Sequence, residues 1–167
     1  MKKMSISNEG LEHLIKLEGG ARLVMYNDLG GQKGHCTIGV GHLVHKGVCN
    51  GVVPSERPYL KGISLAKAKE LLKNDLAIAE SAINGSVIVP LSQNQYDALV
   101  SFVFNVGADA FRHSTLLKHI NSRQHRKAAD EFLEWNRMTI AGKKLEISGL
   151  TNRRIAEKVL FEKVVKP

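Results

Sequence analysis

The sequence has only two cysteines among its 167 residues, Cys36 and Cys49. Two cysteines cannot build the disulfide framework that supports many small secreted proteins. They are 13 residues apart, with no second Cys beside either and no paired His pattern, so they also make a poor zinc site. We therefore expect two reduced cysteines and no bound metal, although spacing alone leaves their pairing open.

Long apolar runs are also missing. No stretch approaches the roughly 20 residues that a helix needs to cross a bilayer. The first seven residues carry two lysines, but the apolar segment of a signal peptide does not follow them. With 43% hydrophobic residues, a chain of this length can bury one sizeable core, so we expect a single domain over residues 1–167.

Aromatic residues are few, and positive charge is unevenly distributed. The net charge is +8, and residues 112–167 hold 13 Lys and Arg against 6 Asp and Glu. Residues 1–111 are nearly balanced, with 11 against 10. A basic segment attracts anionic polymers in general, nucleic acid and acidic cell wall alike. Only nine aromatics, no zinc finger and no Lys/Arg run accompany it, so a dedicated nucleic-acid motif is missing.

The spacing of hydrophobic residues and the positions of glycines and capping residues divide the chain into two kinds of structure. Residues 9–17 predict a short helix that Gly19 and Gly20 end. The glycine-rich, β-branched stretch 23–53 predicts a small antiparallel sheet with tight turns. Everything after Gly62 has a helical period, and we place helices at five segments: 64–83, 92–107, 114–120, 124–135 and 150–164. Ser92 and Gln95 form a capping-box pattern for the second of these. The fold class is α+β.

Two acids and a threonine near the start, Glu18, Asp28 and Thr37, are the candidate catalytic residues. Cleaving a glycosidic bond requires one carboxyl that donates a proton to the leaving oxygen. A second group must manage water or positive charge on the opposite face of the sugar. Such a trio also occurs by chance in most chains. The glycine-rich sequence around the three residues carries the information.

Five sequence blocks resemble the phage-type lysozymes, family 24 of the glycoside hydrolases. The first three are Glu-Gly at 18–19, Tyr-Asn-Asp at 26–28 and Thr-Ile-Gly-Val-Gly-His at 37–42. The others are a helix ending Phe-Asn-Val-Gly at 104–107 and Gly-Leu-Thr-Asn-Arg-Arg-Ile-Ala-Glu at 149–157. The resemblance spans roughly residues 10 to 162. Nine residues separate Glu18 from Asp28 and eight separate Asp28 from Thr37, both longer than is usual in the family.

The resemblance implies a lysozyme-like fold with an active-site cleft between two lobes. The β-rich lobe is expected at about residues 19–62. The helical lobe is expected at about residues 63–167, joined by the N-terminal helix. The implied activity is hydrolysis of the β-1,4 bond between N-acetylmuramic acid and N-acetylglucosamine in peptidoglycan, without a cofactor. We also expect a monomeric enzyme that is made in the host cytoplasm. It would reach the wall with help from a separate membrane-permeabilising protein.

The resemblance also suggests roles for individual residues. Glu18 would be the general acid, while Asp28 and Thr37 would hold the attacking water in an inverting mechanism. A threonine hydroxyl suits that task because it both donates and accepts a hydrogen bond without carrying charge. A lytic transglycosylase would use the acid alone, and a non-catalytic wall-binding module would lack the acid. The intact trio argues against both alternatives.

The resemblance also implies supporting roles for a histidine, an aspartate and an arginine, and the position of Asn105 near the end of a buried helix suggests another. His42 is expected to be structural and to pair with Asp75 on the following helix. Arg153, or its neighbour Arg154, is expected to turn inward toward Glu18. Asn105 either hydrogen-bonds a substrate sugar or is satisfied within the core.

Overall fold

The computed structural model describes residues 2–164. Contacts divide them into two compact units, one formed by residues 12–77 and the other by residues 2–11 with 78–164. Helix α1 (Asn8–Leu17) begins where the Ser7 hydroxyl accepts a hydrogen bond from the amide of Gly10, 3.0 Å away. Ser7 is therefore the N-cap of α1.

The unit of residues 12–77 contains a three-stranded antiparallel sheet. Its elements are β1 (Arg22–Asn27), β2 (Cys36–Gly39), β3 (His42–His45), a 3-10 helix (Pro54–Tyr59) and α2 (Leu65–Asp75). Strand β2 is central and wholly buried, and it packs against α2. The register places Tyr26 of β1 opposite Thr37 of β2. The sheet predicted from the glycine-rich stretch is present.

The second unit is mainly helical. After α3 (Ala77–Ser86) come α4 (Gln93–Val106), α5 (Ala108–Arg112), α6 (Thr115–Asn121), α7 (His125–Glu131), a 3-10 turn (Phe132–Glu134) and α8 (Ser148–Glu162). Helix α4 begins with the predicted capping box and packs mainly on α8. Fully buried aromatic residues form the core between the helices, including Tyr96, Phe102, Phe111 and Phe132. None of the helices within residues 2–164 is both long enough and apolar enough to span a membrane.

Two secondary-structure predictions for the second half of the chain were wrong. The single helix expected over residues 64–83 is two helices, α2 and α3, which meet at the fully buried Leu76. No Gly or Pro marks that break in the sequence. The segment after Trp135, expected to be helical or connecting, contains a hairpin of β4 (Arg137–Ile140) and β5 (Lys143–Glu146). Ala141 and Gly142, both with positive φ, form its two-residue turn.

Candidate active site

Glu18 is the residue at which α1 ends. The amide of Gly19 donates to the Lys16 carbonyl at 3.1 Å, and that of Gly20 donates to the Ile15 carbonyl at 2.8 Å. This pair of hydrogen bonds is the Schellman pattern, in which Glu18 is the C-cap and Gly19 has a φ of +86°. The two glycines therefore end the helix and leave the Glu18 side chain exposed at its terminus.

Asp28 lies at the start of the loop that is longer than usual in the family. Its Oδ1 accepts a 2.7 Å hydrogen bond from the amide of His35, and its own amide donates to the His35 carbonyl at 3.1 Å. These two bonds close the loop at its base, and residues 29–33 within it are exposed. Asp28 itself is exposed.

Thr37 is bound to the same residue as Asp28. The Thr37 hydroxyl donates a 2.9 Å hydrogen bond to the carbonyl oxygen of His35. The Thr37 residue is 4% exposed and lies on β2 opposite Tyr26. The longer loop thus leaves Asp28 and Thr37 joined through the backbone of one residue.

Tyr26 connects the two candidate carboxyl groups electrostatically. Burial raises the pKa of its hydroxyl, and the negative charges of Asp28 and Glu18 raise that pKa further. The positive charge of Arg22 opposes them, and its guanidinium lies 3.9 Å from the centre of the Tyr26 ring. Both carboxyl groups are therefore close enough to act on one hydroxyl. Sequence reasoning used Tyr26 only as part of a motif and did not identify Arg22 at all.

The cysteines behind this site form a disulfide, so the expectation of two reduced cysteines was wrong. The Cα atoms of Cys36 and Cys49 are 4.7 Å apart. The chain after β3 returns to this position because the Cys36 amide donates to the Gly47 carbonyl and the Cys49 amide donates to the Asn27 side chain, both at 2.8 Å. The Asn27 amide group also donates to the Gly31 carbonyl at 2.6 Å. The spacing of the two cysteines in the sequence could not predict these hydrogen bonds.

His42 and Asp75 are brought together as predicted from the resemblance. The imidazole Nδ1 is 2.8 Å from one carboxylate oxygen of Asp75 and 3.1 Å from the other. Both side chains are about a quarter exposed, at 24% and 30%. The pair joins β3 to the end of α2.

The second unit contains a buried charged cluster on α4 and α8. Glu157 is fully buried, with Arg153 Nε 3.1 Å and Arg154 Nε 2.8 Å from its carboxylate oxygens. The hydroxyl of Ser101 donates to the same carboxylate at 2.7 Å. Burial raises the pKa of Glu157, against the positive charges of Arg154 and Arg153. Arg154 also donates to Asn105 Oδ1 at 2.8 Å, which orients that amide.

Asn105 lies at the exposed end of α4, beside a groove of about 670 Å³. The groove is bordered by side chains of α7, α8 and the β4–β5 hairpin, among them Glu131, Met138 and Lys144, and by Trp135, which follows the 3-10 turn. Its lining combines charged and apolar groups. Asn105 thus has a hydrogen-bond partner within the protein and is also exposed to a ligand.

Comparison with known proteins identifies the fold and the enzyme class. A family model described as phage lysozyme matches residues 16–157. The chain belongs to the phage lysozyme family. Phage lysozymes are glycoside hydrolases, so the enzyme class expected from the sequence is confirmed.

Named relatives align with 90% or more of this chain. The endolysin of Salmonella phage P22 is 43% identical over 161 residues, 95% of this chain and 98% of that protein. A SAR-endolysin of Escherichia phage Mu is 36% identical over 150 residues, 90% of this chain and 77% of its own length. The solved endolysin of Escherichia coli O157:H7 phage FAHEc1 superposes with a TM-score of 0.81 at 32% identity and covers 99% of this chain and 98% of that one. The predicted α+β, lysozyme-like fold is therefore confirmed.

Proposed function

We propose that this phage lysozyme is an endolysin that hydrolyses the β-1,4 bond between N-acetylmuramic acid and N-acetylglucosamine in peptidoglycan, with Glu18 as its general acid. One observation above all supports the proposal: the backbone of His35 holds both Asp28 and Thr37, beside Tyr26, whose hydroxyl feels the charges of both Asp28 and Glu18. Two carboxyl groups in one neighbourhood are what glycoside hydrolysis requires. No metal or organic cofactor takes part.

Asp28 and Thr37 hold the attacking water in this proposal. The Thr37 hydroxyl donates to the His35 carbonyl, so its oxygen meets a water only as an acceptor. The ionised Asp28 carboxylate is also only an acceptor. A water that donates one proton to each therefore turns a lone pair toward the anomeric carbon. As that lone pair attacks, Asp28 takes a proton and Glu18 protonates the leaving oxygen, which inverts the configuration.

Other residues support this chemistry without taking part in the proton transfers. Asn105 hydrogen-bonds a sugar or its substituent at the groove beside α4, held in orientation by Arg154. The His42–Asp75 pair maintains the fold around β3. The basic residues of 112–167 attract the monomeric enzyme to the anionic wall.

The proposed site of action is the bacterial cell wall. Two phage endolysins, at 40% and 43% identity, each match 95% of this chain. The enzyme accumulates in the host cytoplasm and reaches the wall after a separate protein permeabilises the membrane. Its release then lyses the host.

Product analysis tests the reaction type. Purified peptidoglycan digested by the enzyme should give fragments with reducing N-acetylmuramic acid ends, formed first as the α-anomer because the β bond is cleaved with inversion. Proton NMR during the first minutes and mass spectrometry of the fragments measure both properties. Anhydro ends, lighter by one water, would instead identify a lytic transglycosylase. Binding to the wall without any cleavage would identify a non-catalytic module.

A further inference from the structure

Two further side chains lie against the disulfide of Cys36 and Cys49. Ligand atoms of Cys36, His45 and Glu56 all lie within 4.8 Å of one another, and the Cys49 sulfur is bonded to that of Cys36. Cys36 and Glu56 have no solvent exposure, and the His45 side chain is 15% exposed. Glu56 is an unusual residue to find at such depth, since acidic side chains are rarely buried without a specific partner.

Neighbouring backbone groups hold both polar side chains in fixed orientations. The Nδ1 of His45 lies 2.8 Å from the carbonyl oxygen of Lys46, which directs Nε2 toward Glu56 at 2.6 Å. The Glu56 carboxylate accepts hydrogen bonds from the amides of Asn50, at 3.0 Å, and Gly51, at 2.5 Å. A histidine oriented by a backbone carbonyl and a carboxylate held by hydrogen bonds are the usual surroundings of metal ligands in proteins.

We propose that reduction of the disulfide converts this cluster into a structural zinc site formed by Cys36, Cys49, His45 and Glu56. Two thiolates, one imidazole nitrogen and one carboxylate oxygen complete a tetrahedral set, which zinc prefers among common divalent ions. Zinc bonds of about 2.0–2.3 Å place such ligands roughly 3.3–3.8 Å from one another. The His45–Glu56 contact must open by less than about 1 Å to reach that separation, and the two sulfurs must move apart from bonding distance.

Oxidation then exchanges the metal for the disulfide. The two zinc-bound thiolates give up two electrons and form the S–S bond, and Zn²⁺ is released. The electrons pass to an oxidant of the disulfide class, which takes up two protons and becomes two thiols. Reduction by the reverse exchange restores the two thiolates that bind the metal.

Both states link the same parts of the site. Cys36 directly precedes Thr37, and the Cys49 amide donates to the side chain of Asn27, the residue before Asp28. A disulfide under oxidising conditions and a zinc ion under reducing ones therefore each connect the segments that carry the candidate water-holding residues. The phage lysozyme would keep this part of the fold in a reducing compartment, where disulfides do not persist.

Calorimetric titration of the wild-type chain with Zn²⁺ tests the inference. The protein reduced with a phosphine should bind one zinc per chain and gain in melting temperature, while the oxidised protein should show neither effect. A single site occupied by Co²⁺ should also give the near-ultraviolet absorption of thiolate ligands. Equal zinc affinity in the oxidised and reduced proteins, or no binding by the reduced protein, would overturn the inference.

Variants show which side chains bind the metal. Glu56→Gln and His45→Asn should each weaken zinc binding to the reduced protein by at least about tenfold, because even changes to residues that only support ligands cost this much. Glu70→Gln and His113→Asn remove the same groups from exposed positions and should leave the affinity unchanged. Melting of the oxidised variants establishes that they fold. Undiminished binding by both ligand variants would reduce the site to two thiols and contradict the inference.

Discussion

Asp28 and Thr37 are joined through the backbone of His35, which donates its amide proton to the first and accepts the hydroxyl proton of the second. The number of residues between Asp28 and Thr37 therefore does not determine how close the two lie, because both are hydrogen-bonded to His35. A longer loop can project outward without separating them. This relationship explains how a chain with unusual spacing keeps Asp28 and Thr37 joined at one residue.

Gly34 tests the importance of the Asp28 position. A Cβ at Gly34 would lie 2.0 Å from Asp28 Oδ1, whereas one at Gly30 in the same loop would meet nothing within 4 Å. Both glycines have a positive φ, so alanine at either position should cost about 1–2 kcal/mol of stability. Gly34→Ala should cost more than this, because its Cβ would also lie 2.8 Å from the backbone nitrogen of Leu29. Only Gly34→Ala should also lower kcat. Denaturant unfolding and wall-clearing assays of both variants make the comparison, and equal activity would mean that Asp28 needs no fixed position.

Titration of Tyr26 tests the proximity of the two carboxyl groups. Because the negative charges of Asp28 and Glu18 raise the Tyr26 pKa, Asp28→Asn and Glu18→Gln should each lower it. Loss of the positive charge in Arg22→Gln should raise it. The ring carbon signals of labelled tyrosine, followed by NMR against pH and assigned with Tyr26→Phe, measure these shifts. An unchanged Tyr26 pKa in both carboxyl variants would show that the groups lie apart.

Gly10 tests the packing at the start of α1. A Cβ there would lie 2.4 Å from Cγ of Asp97, which is 2% exposed and accepts a 2.9 Å hydrogen bond from the Ser7 amide. Gly10→Ala should therefore destabilise the protein by roughly 1–3 kcal/mol, the usual cost of overpacking. Gly85→Ala in α3 has open space and should stabilise by up to about 1 kcal/mol. Urea unfolding curves would contradict this account if the two variants shifted in the same direction.

Sequence reasoning succeeded where the information was local or carried by a motif. The capping box of Ser92 and Gln95 and the glycine stop after Glu18 were predicted because neighbouring residues determine both. The contact of His42 with Asp75 followed from the family resemblance alone, since no local pattern links residues 33 positions apart.

Features that depend on long-range contacts were missed. The disulfide requires the loop after β3 to return to Asn27, and the role of Arg22 requires its side chain to stack on Tyr26. The two-residue hairpin turn uses Ala141, an atypical residue for positive φ, so its turn signal is weak. The break at Leu76 has no Gly or Pro to mark it, and Leu76 itself is fully buried.

Lys143 and Lys144 test the proposed attraction to the wall. Both are exposed on β5, in the segment that carries most of the net positive charge. Reversing both to Glu should slow lysis of outer-membrane-stripped cells at low salt and flatten the salt dependence, because such charges act at long range and are screened within about 8 Å at physiological ionic strength. Cleavage of a neutral oligosaccharide should show little salt dependence in either protein, which separates attraction to the wall from any effect of Lys144 on the groove that it borders.

A matched reversal controls for net charge. Lys61→Glu with Lys73→Glu makes the same charge change at exposed positions of the other unit. This control should slow lysis less than the reversal on β5. Equal lysis rates and salt dependence for wild type and the β5 variant would leave the basic segment with no part in wall binding.

The most direct test of the catalytic assignment is the rate of peptidoglycan clearing by Glu18→Gln. The amide has nearly the shape of the acid but cannot donate the proton, so the rate should fall by about 10²–10⁴ while the melting temperature stays near that of wild type. Glu70→Gln, an exposed carboxyl of the same unit, should retain full activity. A folded Glu18→Gln protein that clears peptidoglycan at close to the wild-type rate would contradict the assignment of Glu18 as the general acid.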